Sequence, residues 1–168
     1  MSRSERRDLA DRADVVEVLG DFYHRAFADD LLGPVFVDVA QMDLSQHLPA
    51  ITDFWCKAVL KEGEYRNNVF EPHRLLHQLA HLEPKHFERW LSLWHTTIDD
   101  RHRGPKADLA KLQGARIAYS MCRMLTGQLA VPIADWLEAT GHQLGVHSPH
   151  RERAVRTGPP RRTARPAR

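Results

Sequence analysis

The sequence predicts an all-α protein with a single domain, and three observations support that prediction. Apolar residues recur three and four positions apart along several segments, as they do on the buried face of a helix. No segment alternates apolar and polar residues between turn signals, as a half-buried strand would. At 168 residues, the chain is long enough to bury one sizeable core.

The first half of the chain predicts three helices separated by turns. A helix covers residues 14–28, and a Gly-Pro pair at 33–34 marks the connection that follows it. Asp43 caps a second helix, which is predicted to end at Gly63. A short third helix starts near Pro72, because proline suits the first turn of a helix. The second helix has an almost unbroken apolar stripe, which consists of Leu44, His47, Leu48, Ile51, Phe54, Trp55 and Ala58.

The second half of the chain predicts three more helices. Glu83 and Pro84 open a fourth helix. A fifth helix covers residues 105–126 and stops at Gly127. A short amphipathic segment at 133–144 follows. The apolar stripe of the fourth helix consists of Phe87, Trp90, Leu91, Trp94 and Ile98.

Charge is distributed unevenly along the chain. Residues 147–168 contain seven arginines and one glutamate, which give +6, so the net charge of +2 leaves −4 for residues 1–146. The tail is rich in proline and lacks an apolar period, so we expect it to be disordered. We therefore divide the chain into an N-terminal extension (1–12), a helical domain (13–127), an amphipathic C-terminal extension (128–146) and the disordered tail.

Composition and motifs exclude several classes of protein. No run of about 18 apolar residues is present, so we expect no transmembrane helix and no membrane partner. The charged N-terminus does not resemble a signal peptide, and Cys56 and Cys122 are expected to be buried thiols in the cytoplasm. Motifs for dinucleotide, P-loop, zinc-protease and serine-hydrolase sites are absent. An arginine-rich tail can contact nucleic acid, but the mildly acidic body argues against that partner.

Three features of the helical pattern are candidates for chemistry. His47 lies within an apolar stripe, as either a hydrogen-bonded core histidine or one that faces a bound group. His73, His77 and His81 are four residues apart, so a continuous helix would place them on one face. That face is either simply polar or a metal site, because imidazole binds zinc, copper and iron. Tyr23 lies on the apolar side of the first helix, where its hydroxyl needs a hydrogen-bond partner.

Several short blocks follow one another in a fixed order between residues 10 and 127, and together they resemble a known family. The block HFxRWLxLW, which runs from His86 to Trp94, is the most specific. The others are Phe22-Tyr23, Leu32-Gly33-Pro34-Val35-Phe36, His47 followed by Phe54-Trp55, and Tyr65 eight residues before His73. In this order, the blocks resemble the truncated haemoglobins, and specifically the third group of that family.

The resemblance implies a shortened globin fold around a haem b, with residues 13–127 as the truncated globin domain. It implies that His73 is the proximal ligand of the haem iron. His77 lies one turn further on and is the alternative ligand or a contact to the cofactor. The resemblance places Tyr23, His47 and Trp90 on the distal side and makes Phe22 and Phe54 pocket-lining aromatics.

The resemblance also implies ligands and partners. The expected ligands are oxygen, nitric oxide and carbon monoxide. Tyr and Trp donors stabilise partial negative charge on a bound ligand, which favours ligand capture or oxidative chemistry over bulk oxygen transport. Nitric oxide dioxygenation or peroxide reduction would need an external reductase, since the chain has no flavin or nucleotide segment, and enzymatic activity stays an open question. Arg66, Arg74 and Lys85 are candidates to pair with the haem propionates.

Two alternatives stay open on the sequence alone. A non-haem metal-binding helical protein would use His73, His77 and His81, but it leaves Tyr23 and His47 unexplained. A regulatory interaction module would use the arginine-rich tail, and it predicts that removal of the tail abolishes function.

Overall fold

The computed structural model describes residues 6–143, which are helical and contain no strand, so the all-α prediction is confirmed. Within this part of the chain, no helix has both the length and the apolar character needed to cross a bilayer. The α-helices are α1 (Arg12–Phe27), α2 (Leu44–Trp55), α3 (Phe70–Ala80), α4 (Pro84–Arg101), α5 (Pro105–Thr126) and α6 (Val131–Gln143). Two π-helical segments accompany them, Pro34–Val39 after α1 and Cys56–Leu60 as a continuation of α2.

Aspartate side chains cap the starts of α1 and α2. The Asp11 carboxylate accepts a hydrogen bond from the Asp14 N–H (3.1 Å), so α1 starts two residues earlier than predicted. The Asp43 carboxylate accepts one from the Ser45 N–H (3.0 Å), which confirms Asp43 as the cap of α2. These bonds satisfy backbone donors that have no partner inside the helix.

One predicted helix end is wrong, for a local reason. The continuation of α2 stops at Lys61, which takes a left-handed conformation (φ 63°), rather than at Gly63. The Asn68 side chain caps the start of α3, which begins at Phe70, so Pro72 lies in the first turn as predicted. At its other end α3 stops before His81, whose left-handed conformation (φ 50°) places it outside the helix. His81 therefore does not share a helix face with the two histidines that precede it.

The helices pack around a central pair formed by α4 and α5. α1 packs on α4 and also on α2, whereas α6 packs on α5 and buries Ile133. The predicted C-terminal extension (128–146) thus contains a helix that packs on α5, whereas residues 144–146 and the tail predicted to be disordered lie outside the described residues. α3 packs on the Pro34–Val39 segment and on α5, and it contains no fully buried residue.

Two glycines are required by close approaches between elements. A Cβ atom on Gly114 of α5 would lie 2.5 Å from Cδ1 of Trp94 on α4. A Cβ on Gly33 would lie 2.7 Å from the carbonyl oxygen of Phe27 at the end of α1. The first glycine lets the Nε1 edge of the indole approach the α5 backbone, and the second lets the connection turn tightly over α1.

The N-terminal segment before α1 is tied to the start of α5. The Asp8 carboxylate accepts hydrogen bonds from the backbone N–H groups of Lys106 (2.9 Å) and Ala107 (2.8 Å). The Arg103 N–H donates to the Arg7 carbonyl oxygen (3.0 Å), and Leu9 is buried in the core. Asp8 therefore caps α5 from a distant part of the chain, a function that its position in a predicted extension did not indicate.

We predict that Asp8→Ala lowers the free energy of unfolding by about 0.5–2 kcal/mol, because it removes the cap of α5. Urea denaturation followed by circular dichroism measures this change. Asp38→Ala is the matched control, since the side chain of Asp38 is exposed and has no hydrogen bond or ion pair among residues 6–143. Equal stability of both variants would show that the contact between Asp8 and α5 does not hold in solution.

We also predict that Gly114→Ala destabilises the protein by about 1–3 kcal/mol, because the added methyl group overlaps the Trp94 indole. Near-ultraviolet circular dichroism should change as well, since Trp94 must move. Gly20→Ala in α1 is the control, because nothing lies within 4 Å of the Cβ it would add. A neutral Gly114→Ala variant would contradict the close packing of α4 on α5.

Candidate functional site

An aromatic cluster joins α1, α4 and the Pro34–Val39 segment. The ring of Phe22 lies edge-to-face against Tyr23 (5.0 Å between centroids) and Trp90 (5.3 Å). Tyr23 in turn meets Phe36 edge-to-face at 5.9 Å. Such edge-to-face pairs fix ring positions beyond what simple burial would do. The structure therefore brings together Phe22, Tyr23 and Trp90, three of the residues predicted for the site.

Tyr23 is held in the cluster as a neutral phenol. Its side chain is only 8% exposed, and burial raises the pKa of its hydroxyl well above the ordinary value. Among residues 6–143, no group accepts a hydrogen bond from this hydroxyl. The sequence prediction that a buried tyrosine needs a partner is therefore not met within the described chain, and the O–H group is available to donate to a bound molecule.

The indole of Trp90 belongs to a stack of three tryptophans. Trp90 and Trp94 lie nearly parallel (19°) with centroids 5.9 Å apart, and they sit one turn apart on α4. Trp94 stacks on Trp55 of α2 at 4.3 Å and 28°. The Trp94 Nε1–H donates to the carbonyl oxygen of Ala110 (3.0 Å), which orients the central ring of the stack. Trp90 is half-buried, whereas Trp94 and Trp55 are buried.

The histidines of α3 differ in their partners. His73 Nδ1 lies 2.7 Å from the carbonyl oxygen of Val69, so an Nδ1–H tautomer donates to that carbonyl and leaves Nε2 free. A hydrogen bond of this kind orients a histidine as a metal ligand. The Nδ1 atom of His77 is buried and has no hydrogen-bond partner. Both side chains are half-buried, whereas His81 is exposed.

His47 is exposed, so the alternative in which it is a hydrogen-bonded core histidine is wrong, whereas the alternative in which it faces a bound group stays a prediction. The buried residues of α2 are Thr52 and Trp55, on the side that packs against α1. His47 lies in the first turn of α2 and seven residues before Phe54, so it shares the side of the helix that Phe54 occupies. His47 therefore lies on the same side of α2 as Phe54, but at the solvent-exposed N-terminal end of the helix.

Phe54 lines a cleft of about 350 Å³ that opens to solvent between the end of α2 and α5. Its ring meets Tyr65 edge-to-face at 5.2 Å. The other lining residues are Lys57, Ala58, Lys61, Gln113 and Ile117. Apart from Phe54, the sequence does not indicate these lining residues, because they come from three separate segments and no local pattern marks them.

The cations predicted to pair with a cofactor have other partners in this structure. Arg66, Arg74 and Lys85 form ion pairs with Glu64, Glu71 and Glu83. Within residues 6–143, no group of three His, Cys, Asp or Glu side chains is arranged to hold a metal ion. The alternative in which His73, His77 and His81 form one metal site therefore lacks structural support.

The half-buried faces of α2 and α3 are mainly apolar. α2 contributes Leu44, Leu48 and Ile51 to its half-buried face, beside Phe54. The half-buried face at α3 consists of Val69, Phe70 and Leu76. Two such apolar faces, with a free imidazole nitrogen on one of them, suit a flat apolar ligand that carries a metal.

Comparison with solved structures finds a similar fold. The crystal structure of a group III truncated hemoglobin from Campylobacter jejuni matches with a TM-score of 0.62 and 22% sequence identity. The match covers 71% of this chain and 94% of that chain. No protein-family model and no curated protein sequence matches this chain. Because the identity is low, the similarity shows the fold, and the described chain accordingly has the fold of a truncated haemoglobin.

Proposed function

We propose that this protein is a haem-binding globin that binds oxygen and other diatomic ligands. The observation that carries the proposal is His73, which lies on the half-buried side of α3 with Nδ1 anchored to Val69 and Nε2 free. Within a truncated-globin fold, that geometry suits a proximal ligand of haem iron.

The residues around this histidine fit a haem. The porphyrin is flat and largely apolar, and it would be covered by Leu44, Leu48 and Ile51 of α2 and by the half-buried apolar residues of α3. The ion pairs of Arg66, Arg74 and Lys85 are local and exposed, so each cation can exchange its glutamate for a propionate at little cost. We therefore propose that these three side chains pair with the propionates of a haem b.

When bound, the haem would supply an iron that can take a small ligand. Tyr23 would donate its hydroxyl proton in a hydrogen bond to that ligand, because burial keeps the phenol protonated and no described residue competes for it. The indole N–H of half-buried Trp90 is a second donor at the same aromatic cluster. Fixed donors in a dry pocket stabilise negative charge on a ligand more strongly than water does.

His77 and His47 have secondary functions in this proposal. The buried, unpaired Nδ1 of His77 makes it the competing iron ligand, one turn from His73. His47 lies at the solvent end of the Phe54 side of α2, where it would contact a ligand only by turning inward. The Phe22 ring packs edge-to-face against both Tyr23 and Trp90 and so restricts the positions of these two side chains.

We further propose that the protein works in the cytoplasm and that any catalytic turnover depends on a separate reductase. Cys56 and Cys122 are buried and unpaired, which suits a reducing compartment. Nitric oxide dioxygenation and peroxide reduction both consume electrons, and no flavin or nucleotide motif supplies them here.

We predict that His73→Ala loses the haem spectrum of the wild-type protein, because the iron loses its proximal ligand. The measurement is the absorption spectrum with one equivalent of haemin, after reduction and again after addition of carbon monoxide. His81→Ala is the control, since His81 is exposed and lies outside α3. If His77→Ala loses the spectrum and His73→Ala keeps it, the iron ligand is His77 and not His73. A folded wild-type protein that binds no haemin would refute the proposal.

We predict that Tyr23→Phe accelerates oxygen dissociation by roughly ten- to a hundred-fold, because a hydrogen bond to a partly charged ligand is lost. Stopped-flow displacement of oxygen by carbon monoxide measures the rate. Tyr119→Phe in α5 serves as the control, since Tyr119 has no ring contact with the aromatic cluster. An unchanged rate in Tyr23→Phe would mean that its hydroxyl points away from the ligand.

A further inference from the structure

The three-tryptophan stack has a tyrosine near each end. At the α1 end, Tyr23 touches Phe22, and the Phe22 ring meets Trp90. At the α2 end, the Phe54 ring meets Trp55 at 5.3 Å and Tyr65 at 5.2 Å. Indole and phenol are the aromatic side chains that lose an electron most readily, whereas phenylalanine serves only as a spacer. The row of rings therefore extends from the proposed ligand pocket to the open cleft.

We propose that Trp90, Trp94 and Trp55 form a path along which an electron moves from Tyr65 at the cleft to an oxidant at the pocket. The stacking distances of 5.9 and 4.3 Å bring neighbouring indoles into ring contact. One phenylalanine ring separates Tyr65 from the last indole, which is a short gap for a single electron.

The two ends of the path differ in where a proton can go. A tyrosine that loses an electron also loses its hydroxyl proton, because the phenol cation is a very strong acid. Tyr65 is half-buried and lines a cleft that opens to solvent, so its proton can leave. Tyr23 is almost fully buried with no described acceptor for its hydroxyl proton. The oxidised site should therefore settle at Tyr65 and not at Tyr23.

The middle of the path is suited to passing charge on without storing it. The Trp94 Nε1–H donates to a backbone carbonyl, which is too weak a base to take the proton. Trp94 is 2% exposed, so solvent does not take the proton either. An oxidised Trp94 thus keeps its proton and regains an electron from Trp55.

The electrons balance with a peroxide as the oxidant. Hydrogen peroxide takes up two electrons and two protons and gives two molecules of water. Each electron leaves Tyr65, whose O–H bond breaks as the proton goes to solvent. A one-electron reductant in solution, such as an enediol or a phenol, then restores Tyr65 before the second electron passes. The peroxide reaction rests on the proposed haem, whereas the path of rings does not.

The test generates the oxidant in solution, so that it does not depend on haem. Pulse radiolysis with azide radicals oxidises tryptophan in the full-length Trp136→Phe protein, because Trp136 contacts His95 and lies outside the stack. Trp90 is the most exposed member of the stack and should react first. We expect tryptophanyl absorption to convert into tyrosyl absorption at a rate that is independent of protein concentration.

Variants locate the path. In the same background, Tyr65→Phe should lose the tyrosyl signal, whereas Tyr119→Phe should keep it. Trp94→Phe should strand the radical on Trp90, and Trp55→Phe should do the same if Trp94→Phe does not fold. Unchanged conversion in the folded tryptophan variants would overturn the proposal, as would a tyrosyl signal that survives in Tyr65→Phe. If the tryptophanyl signal converts into the tyrosyl signal but the folded protein does not bind haemin, only the haem proposal is refuted.

Discussion

The close contact between the Trp94 indole and Gly114 determines how the rest of the structure is arranged. Because Gly114 has no side chain, α4 and α5 approach until the indole lies against the α5 backbone and bonds to Ala110. One face of the same indole stacks on Trp55 from α2. Phe22 from α1 meets it edge-to-face at 5.4 Å. One side chain thereby joins four helices, and a bulkier residue at 114 would displace all of them.

The helices outside this core are packed much less completely. α3 touches only the Pro34–Val39 segment and α5 among its main neighbours, and it buries none of its residues fully. An amphipathic helix whose apolar side is only half covered gains little from burial, so α3 adds less to stability than α4 or α5. The two histidines of the proposed site lie on this helix. The rigid aromatic core therefore positions Tyr23 and Trp90, whereas the proposed iron ligand belongs to a less firmly held element.

Polar contacts add specificity at the edges of the core. The Asp29 carboxylate accepts hydrogen bonds from the N–H groups of Leu31 and Leu32 and pairs with Arg89 of α4, which fixes the turn after α1 to the central helix pair. Asp8 fixes the N-terminal segment to the start of α5 in a similar way. Carboxylates bound by backbone N–H groups are strong acceptors, so these two residues connect segments that are far apart in sequence.

The sequence by itself determined the helical class, the cap of α2 at Asp43 and the two ends of α5, because these depend on local periodicity and on residues within one turn. It also indicated Tyr23, Trp90 and the α3 histidines as unusual. Only the tertiary structure decided that His47 faces solvent and that Tyr65 lines a cleft. Helical periodicity defines a face but not how much of that face the neighbouring helices cover, and coverage depends on contacts between residues far apart in the chain.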